Sequence, residues 1–361
     1  MKKNRYLSLG IMSGTSNDGI DLSLIQSDGI SKFDVLSSKY IKYNSDLVKD
    51  LNDLTNNINK LSIYSSRIIQ IQDRVTKSYI DAIKKFKKSN HSKIDLISLH
   101  GQTIFHDPYK KISIQLCNAE LIKSEFNSHI VYDFRQNDLK YGGQGAPLVP
   151  VFHKLMNNNL SLSGTNAFLN IGGVSNITII ENNKIISAFD VGPGMAILND
   201  YVFHKKKKFY DKNGEDSSKG KFNKNLIISL MKDNFFKKDP PKSLDKNYFN
   251  KSRFLKLPYY DACASIVEFT AECIKRSMML SKSRVDNLIC MGGGVKNDYL
   301  MRRIKDKINT NTLRAKDLGI DEDFIEAQAF AYLGIRRIKK LPITYPQTTG
   351  VAKATIGGKV I

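Results

Sequence analysis

Three glycine-rich segments hold the residue types that could do chemistry on phosphates and sugars. Residues 10–21 read GIMSGTSNDGID. A turn made of Gly14, Thr15, Ser16, Asn17, Asp18 and Gly19 offers backbone N–H groups and hydroxyls to phosphate oxygens, because small side chains let the backbone approach closely. It is not a P-loop: it lacks GxxxxGK[ST], and a strand beginning near Ile20 follows it. An ordinary tight hairpin uses the same residues, so taken alone the segment leaves both readings open. Asp18 and Asp21 add carboxylates of the kind that contact magnesium through water.

The second segment is LNIGGVSNIT, residues 169–178, followed by FDVGPGM, residues 189–195. Gly172-Gly173 marks another strand–turn–strand. Asp190 ends an apolar run just before a Gly-Pro-Gly turn that should open a helix. A carboxylate there projects from a rigid element, which suits a general base. It equally suits a helix cap. In the third segment, CMGGGVKNDYLMRRI, a strand runs into Gly292, Gly293 and Gly294. Bare backbone there could pack a flat ring such as adenine, or simply make a tight strand–helix turn. Three such loops in this order carry more weight than any one.

Two further stretches supply polar groups. SLHGQTIFH, residues 98–106, contains His100, Gln102, Thr103 and His106. The two histidines lack a spaced third ligand, so lining or packing roles are favoured over a metal site. YDFRQNDLKYGGQGAPLVP, residues 132–150, contains Asp133, Arg135, Asp138 and Gln144. These suit sugar or phosphate recognition, and equally an ion-pair network.

The elements that must position these groups follow from periodicity. Strands are expected at 6–12, 20–26, 33–38, 94–99 and 129–133, with helical spacing over 45–88. After the Gly/Pro cluster at 141–150 the pattern restarts, with strands at 165–171, 174–180 and 184–189. A helix is expected at 259–281, a strand at 286–291, and helices from 297 and over 323–338. Residues 204–221 read as a charged, solvated loop. Each half opens with a strand, a glycine-rich hairpin turn and another strand.

At 361 residues the chain exceeds the roughly 250–300 at which single cores usually split, so two domains are expected. Hydrophobic residues at 41% and charged ones at 25% fit a folded chain. No apolar run approaches a membrane helix, and the N-terminus lacks the pattern of a signal peptide. Four separated cysteines argue against a zinc ribbon and a disulfide scaffold, and for reduced thiols in a cytoplasmic protein. The net charge of +21 comes from 56 Lys and Arg against 35 Asp and Glu. Arg is scarce, and Arg is the better reader of bases and phosphates. The surplus therefore reads as lysine-coated surface, with no nucleic-acid partner and no membrane partner.

Together these motifs resemble the anhydro-N-acetylmuramic acid kinase family, within the superfamily of acetate and sugar kinases, chaperone ATPases and actin. The resemblance rests on MSGTSNDGID, HGQT, DFRQNDLKYGGQGAPLVPVFH, LNIGGVSNIT, FDVGPG, PPKS at 240–243, CMGGGVKN and EAQAFAYLG at 326–334. It implies an α/β fold of two duplicated ribonuclease-H-like domains, actin-like, with an interdomain cleft for ATP and sugar. The domains would span 1–140 and 141–344, with 345–361 able to return to the first. It implies that ATP, Mg2+ and water convert 1,6-anhydro-N-acetylmuramic acid into N-acetylmuramic acid 6-phosphate and ADP, in recycling of the cell wall. The alternative is another sugar kinase of the superfamily acting on a free hydroxyl.

By motif matching, Gly14, Thr15, Ser16, Asn17, Asp18, Gly19, Ile20 and Asp21 form the first phosphate loop. Gly172, Gly173 and Gly292–Gly294 serve the nucleotide, and Asp190 is the catalytic base. His100, Gln102, Thr103, Arg135 and Glu326 are the substrate candidates. Arg135 suits the lactyl carboxylate by its chemistry, and Glu326 competes with a solvated place on an amphipathic helix. The Mg2+ ligands stay open, and a homodimer is compatible with the sequence. The chain departs from the family pattern at Val191, Met195 and Leu244-Asp245, where Thr, Asn and Thr-Gly are usual.

Overall fold

The computed structural model describes residues 4–14, 16–58, 65–160, 162–245, 247–281 and 283–361. The chain forms two compact units, one of Met1–Leu155 with Phe324–Ile361 and one of Met156–Asp323. Thr15 lies outside the described residues.

In the first unit, β1 (Tyr6–Ser13), β2 (Gly19–Ser27) and β3 (Phe33–Lys42) form an antiparallel meander. Helices Ser45–Asn57 and Ser66–Lys88 then carry the chain to β4 (Leu96–Asp107), which lies parallel to β1. A parallel neighbour needs a long crossover, and these helices supply it. β5 (Ile112–Leu116) folds back on the far half of β4, and β6 (His129–Tyr132) pairs parallel to its first half. The C-terminal strand Lys359–Val360 closes the edge beside β6.

The alternation along β1 and β4 decides what each face meets. Leu9, Ile11, Ile97 and Leu99 point into a core shared with Leu51, Ile71, Val75, Tyr79 and Phe86 of the two helices. Ser8, Gly10, Ser98 and His100 point the other way, toward the helix Ile325–Ile338. That helix comes close enough for Ser8 Oγ to donate to the Ala331 carbonyl at 2.8 Å and Ser98 Oγ to the Phe330 carbonyl at 2.5 Å. A Cβ on Gly10 would fall 1.9 Å from the Ala327 carbonyl oxygen. Ala327, Ala329, Ala331 and Gly334 give the helix the small profile such contact demands. The sequence placed the return to the first unit at 345, but this contact brings in everything from Phe324 onward. The first division likewise falls after Leu155, where 140/141 was expected.

The second unit repeats the pattern. β7 (Asn166–Ile171), β8 (Val174–Glu181) and β9 (Lys184–Pro193) form the meander, and β10 (Asn287–Met291) and β11 (Asn311–Arg314) extend it in parallel. The strand order β11-β10-β7-β8-β9 reproduces β6-β4-β1-β2-β3 of the first unit in both order and direction. The duplicated ribonuclease-H-like α/β fold expected from the sequence is therefore present as two sheets of one topology. The helix Tyr259–Met279 is buried on most sides and joins Phe189, Tyr201 and Phe236 in a second core.

Residues 204–221 are more anchored than a solvated loop. The Asp211 carboxylate accepts from the N–H groups of Asp216 (2.8 Å) and Ser217 (3.0 Å), and the Tyr259 hydroxyl donates to Asp216 Oδ2 at 2.7 Å. Cys117, Cys263, Cys273 and Cys290 are free thiols. No helix among the described residues is long and apolar enough to cross a membrane.

Candidate active site

In the first unit the β1–β2 turn is held by β4. Gln102 is fully buried, and its Nε2 donates to the Gly14 carbonyl at 3.0 Å and to Asn17 Oδ1 at 2.8 Å. Asn17 has a left-handed φ of 58° and donates in turn to Asn52 Oδ1 at 3.0 Å. The turn is thus fixed from beneath, while Ser16 and Asp18 stay exposed, hydroxyl donating to carboxylate. Behind it, the buried Tyr79 hydroxyl donates to Ser13 Oγ at 2.9 Å, and Tyr43 OH lies 2.9 Å from the same oxygen. Ile20 is 1% exposed and packs in the core, so only its backbone can serve a ligand. Asp21 lies opposite Met12 on one side and Tyr40 on the other.

His100, Arg135 and Glu326 gather in this unit. The Arg135 guanidinium donates to His100 Nε2 at 2.8 Å and to the Gly145 carbonyl at 2.8 Å. Accepting that bond requires a neutral imidazole. Burial, then the Arg135 charge, hold His100 well below the usual histidine range. Its ring lies 4.5 Å from that of Phe330. The Glu326 carboxyl is pushed above its ordinary value by burial, with Arg135 opposing. The helix Ile325–Ile338 is buried from Ile325 to Arg336 except at Glu326, which is half-buried. Asp138 braces the GGQGAPLVP segment: its Oδ2 accepts from Gly145 N–H and its Oδ1 from Thr349 Oγ1, both at 2.7 Å.

Thr103 is set apart from that group, its hydroxyl accepting from Gln115 Nε2 at 3.3 Å. His106 is tied to Ser113 Oγ at 2.9 Å, and burial drives its imidazole down to about 4. Among the described residues no group of three or more His, Cys, Asp or Glu could hold a metal.

In the second unit the turns at Gly172-Gly173, Gly192–Gly194 and Gly292–Gly294 come together. Met291, Asn170, Asn176 and Asp190 stand opposite one another across β10, β7, β8 and β9. Asp190 therefore sits three strand spacings, about 14 Å, from the end of β10. The Gly172 and Gly173 carbonyls accept from the N–H groups of Met195 (2.8 Å) and Gly194 (2.9 Å), so the Gly-Pro-Gly turn closes on the first hairpin. Met195 supplies only its backbone there, so the departure from Asn leaves that bond intact. Gly292 has φ 82° and ψ 173°, and a Cβ there would strike Asn170 Oδ1 at 2.3 Å. A Cβ on Gly294 would strike Ile171 Cγ2 at 2.3 Å, whereas one on exposed Gly293 would meet nothing within 4 Å. The triple glycine is partly a packing device, with one face left open.

Asp190 is 9% exposed. Its N–H donates to the Lys242 carbonyl at 2.8 Å, and its Oδ2 accepts from Leu244 N–H at 2.7 Å. The Leu244 N–H that the carboxylate accepts from directly follows the PPKS segment. Lys242 and Leu244 were not among the residues singled out for Asp190, because nothing local in the sequence joins positions more than fifty residues apart. Val191 is buried in the core.

A family model described as anhydro-N-acetylmuramic acid kinase matches residues 5–361. The anhydro-N-acetylmuramic acid kinase of Pelagibacter ubique is 38% identical over 369 aligned positions, covering 99% of this chain and 98% of its own. That of Methylorubrum populi is 36% identical, covering 98% of each. Among solved structures, component A of (R)-2-hydroxyglutaryl-CoA dehydratase from Acidaminococcus fermentans is 11% identical, covering 92% of this chain and 99% of its own with a TM-score of 0.47.

Proposed function

Because this chain belongs to the anhydro-N-acetylmuramic acid kinase family, and is a kinase of that sugar acid, we propose how its residues divide the work. The two compact units are, in this reading, the two actin-like ATPase domains. The substrates are 1,6-anhydro-N-acetylmuramic acid, water and ATP, and the products are N-acetylmuramic acid 6-phosphate and ADP. The reaction belongs to cytoplasmic recycling of peptidoglycan.

Asp190 takes the proton from a water that attacks the anomeric carbon. The bond from that carbon to O6 breaks, and O6 takes the γ-phosphoryl group as its bond to ADP breaks. No second carboxylic acid need protonate O6, because phosphorus captures it; this distinguishes the reaction from ordinary glycoside hydrolysis. The observation that carries the assignment is the placement of Asp190. A nearly buried carboxylate near a strand end accepts from the Leu244 N–H, and there it can act as a base on a positioned water. Its distance of about 14 Å from the glycine turn gives the two features different parts of the ligands to serve.

Gly14 and Ser16–Asp21 present backbone and hydroxyl donors to phosphate, and Gln102 and Asn17 keep that turn in shape. Gly172, Gly173 and Gly292–Gly294 serve the nucleotide, with Gly293 its open edge. Arg135 binds the lactyl carboxylate, and neutral His100 and Glu326 present hydrogen-bonding groups to the sugar. Magnesium fits this donor set, since it takes few carboxylates and keeps its waters. Asp18, exposed at the turn, and Asp21 would hold it, where it would offset charge on the phosphate oxygens.

The test is Asp190→Asn. It should abolish ADP release dependent on the anhydro sugar while leaving binding of an ATP analogue unchanged. In the unaltered enzyme, oxygen from labelled water should appear at the anomeric carbon. Full turnover by Asp190→Asn would remove the base assignment.

A further inference from the structure

β9 is the edge strand of its sheet, yet Asp190 near its end is not left open. The chain from Lys242 to Leu244 runs beside it and grips it twice. The Lys242 carbonyl accepts from Asp190 N–H at 2.8 Å, and Leu244 N–H donates to Asp190 Oδ2 at 2.7 Å. One bond fixes the main chain and the other fixes the carboxylate. The position of this strap therefore helps to set the orientation of Asp190.

Two things hold the strap. Leu244 is partly buried against the second core. Lys242 is 5% exposed, an unusual place for a lysine. Its Nζ donates to the carbonyls of Lys238 at 3.0 Å and Phe235 at 3.2 Å, and lies 4.6 Å from the centre of the Phe235 ring. The rings of Phe235 and Phe249 pack into the same core. An aliphatic side chain could fill this space without the cost of burying a cation. What the ammonium adds is direction, through charge-assisted bonds to two carbonyls on a separate turn.

We propose that Lys242 is a positioning residue for Asp190, anchoring the strap whose backbone aims the catalytic carboxylate. This rests on reading Asp190 as the base. The charged and titratable groups facing the ammonium are Lys238 and Asp239 on its own stretch, and Cys273 and Arg276 on the helix Tyr259–Met279. Arg276 donates to the Phe236 carbonyl at 2.7 Å and so stays close. Burial, reinforced by Arg276, pulls the Lys242 amine down to about 8. The anchor is thus charged below about pH 8 and weakens above it.

The experiment compares Lys242→Met and Lys242→Arg in a coupled ADP assay with the anhydro sugar, measuring kcat and KM separately across pH 6.5 to 9.5. Small misplacements of a catalytic group cost up to about a hundredfold. Lys242→Met should lose about tenfold or more in kcat with the KM for ATP changed less than about twofold. Lys242→Arg should recover most of kcat and lack the alkaline fall near pH 8, because a guanidinium stays charged. A Lys242→Met kcat within about twofold of the parent would overturn the proposal. Should Lys242→Met fail to fold, Lys242→Arg decides alone, and a pH profile identical to the parent overturns the proposal. Inactive Asp190→Asn beside unaffected Lys242 variants removes the anchor and keeps the base; active Asp190→Asn removes the base itself.

Discussion

Adding one methyl group in turn to Gly292, Gly293 and Gly294 should give three different outcomes. At Gly292 the backbone sits at φ 82°, ψ 173°, a region nearly closed to other residues and worth about 1–3 kcal/mol of strain. The new Cβ would also meet Asn170 Oδ1 at 2.3 Å and the Ile171 carbonyl oxygen at 3.0 Å. The Asn170 amide can swing aside, at about 1 kcal/mol for a disturbed hydrogen-bonding group, but the carbonyl cannot. Gly292→Ala should therefore cost about 2–4 kcal/mol. Gly294→Ala meets Ile171 Cγ2 at 2.3 Å, an overpacking worth about 1–3 kcal/mol. Gly293→Ala meets nothing within 4 Å and should gain about 0.4–1 kcal/mol by restricting the unfolded chain. For a unit of this size each kcal/mol moves the midpoint by about 2–4 °C. Scanning calorimetry without ligand should place Gly292→Ala about 4–16 °C below the parent and Gly293→Ala at or slightly above it. Titration calorimetry with a non-hydrolysable ATP analogue should reverse the order of interest: Gly293→Ala weakens binding by about tenfold, near 1.4 kcal/mol. Equal melting losses at Gly292 and Gly293 would refute the steric reasoning. Unchanged nucleotide binding by Gly293→Ala would refute the place given to that turn.

His153 is 1% exposed, and burial alone drives its imidazole down to about 3. Between pH 6.5 and 3 the unfolded chain takes up a proton that the folded chain refuses, so this stability is complete above pH 6.5 and lost as pH falls. From pH 6.5 to 5 the loss should be about 2 kcal/mol, at about 1.4 kcal/mol per unit. Denaturant titrations of His153→Leu should show a correspondingly flatter acid limb; parallel limbs would count against the burial argument. Gln102→Leu removes two bonds from beneath the first turn and leaves Asn17 Oδ1 and the Gly14 carbonyl without those donors. It should raise the KM for ATP about tenfold, with a smaller change for the sugar; equal changes in both would show that the turn does not serve the nucleotide.

Much of this was legible in short stretches of sequence. Gly172-Gly173 and Gly192-Pro193-Gly194 marked their joints, and at Gly194 close approach is the reason, since a Cβ there would fall 2.2 Å from the Gly172 carbonyl oxygen. The strands of both meanders followed from alternating or continuous apolar runs. Glu326 was harder to place. Helical periodicity finds a helix at Ile325–Ile338 but does not tell a half-solvated one from a helix buried nearly all round. The alanines and Gly334 that let it press on Ser8, Gly10 and Ser98 read locally as ordinary helix formers. The loop at 204–221 misled for a similar reason. Its lysines dominate the composition, while the Asp211, Asp216 and Ser217 contacts that anchor it are local geometry.

The sequence by itself determined the family and the duplicated architecture, and it singled out the glycine turns and Asp190. These depend on residue type and spacing, which backbone geometry and phosphate chemistry constrain directly. Tertiary structure alone decided what holds those residues. It joined Gln102 to Gly14, Arg135 to His100, Asn170 to Gly292 and the Lys242–Leu244 strap to Asp190. Each pair is far apart in the chain, and hydrogen bonds and steric contacts act over a few ångströms of space regardless of that distance. The departures at Met195 and Leu244 show the consequence. The bonds these residues make are backbone bonds, so the fold keeps them after the side chains have changed.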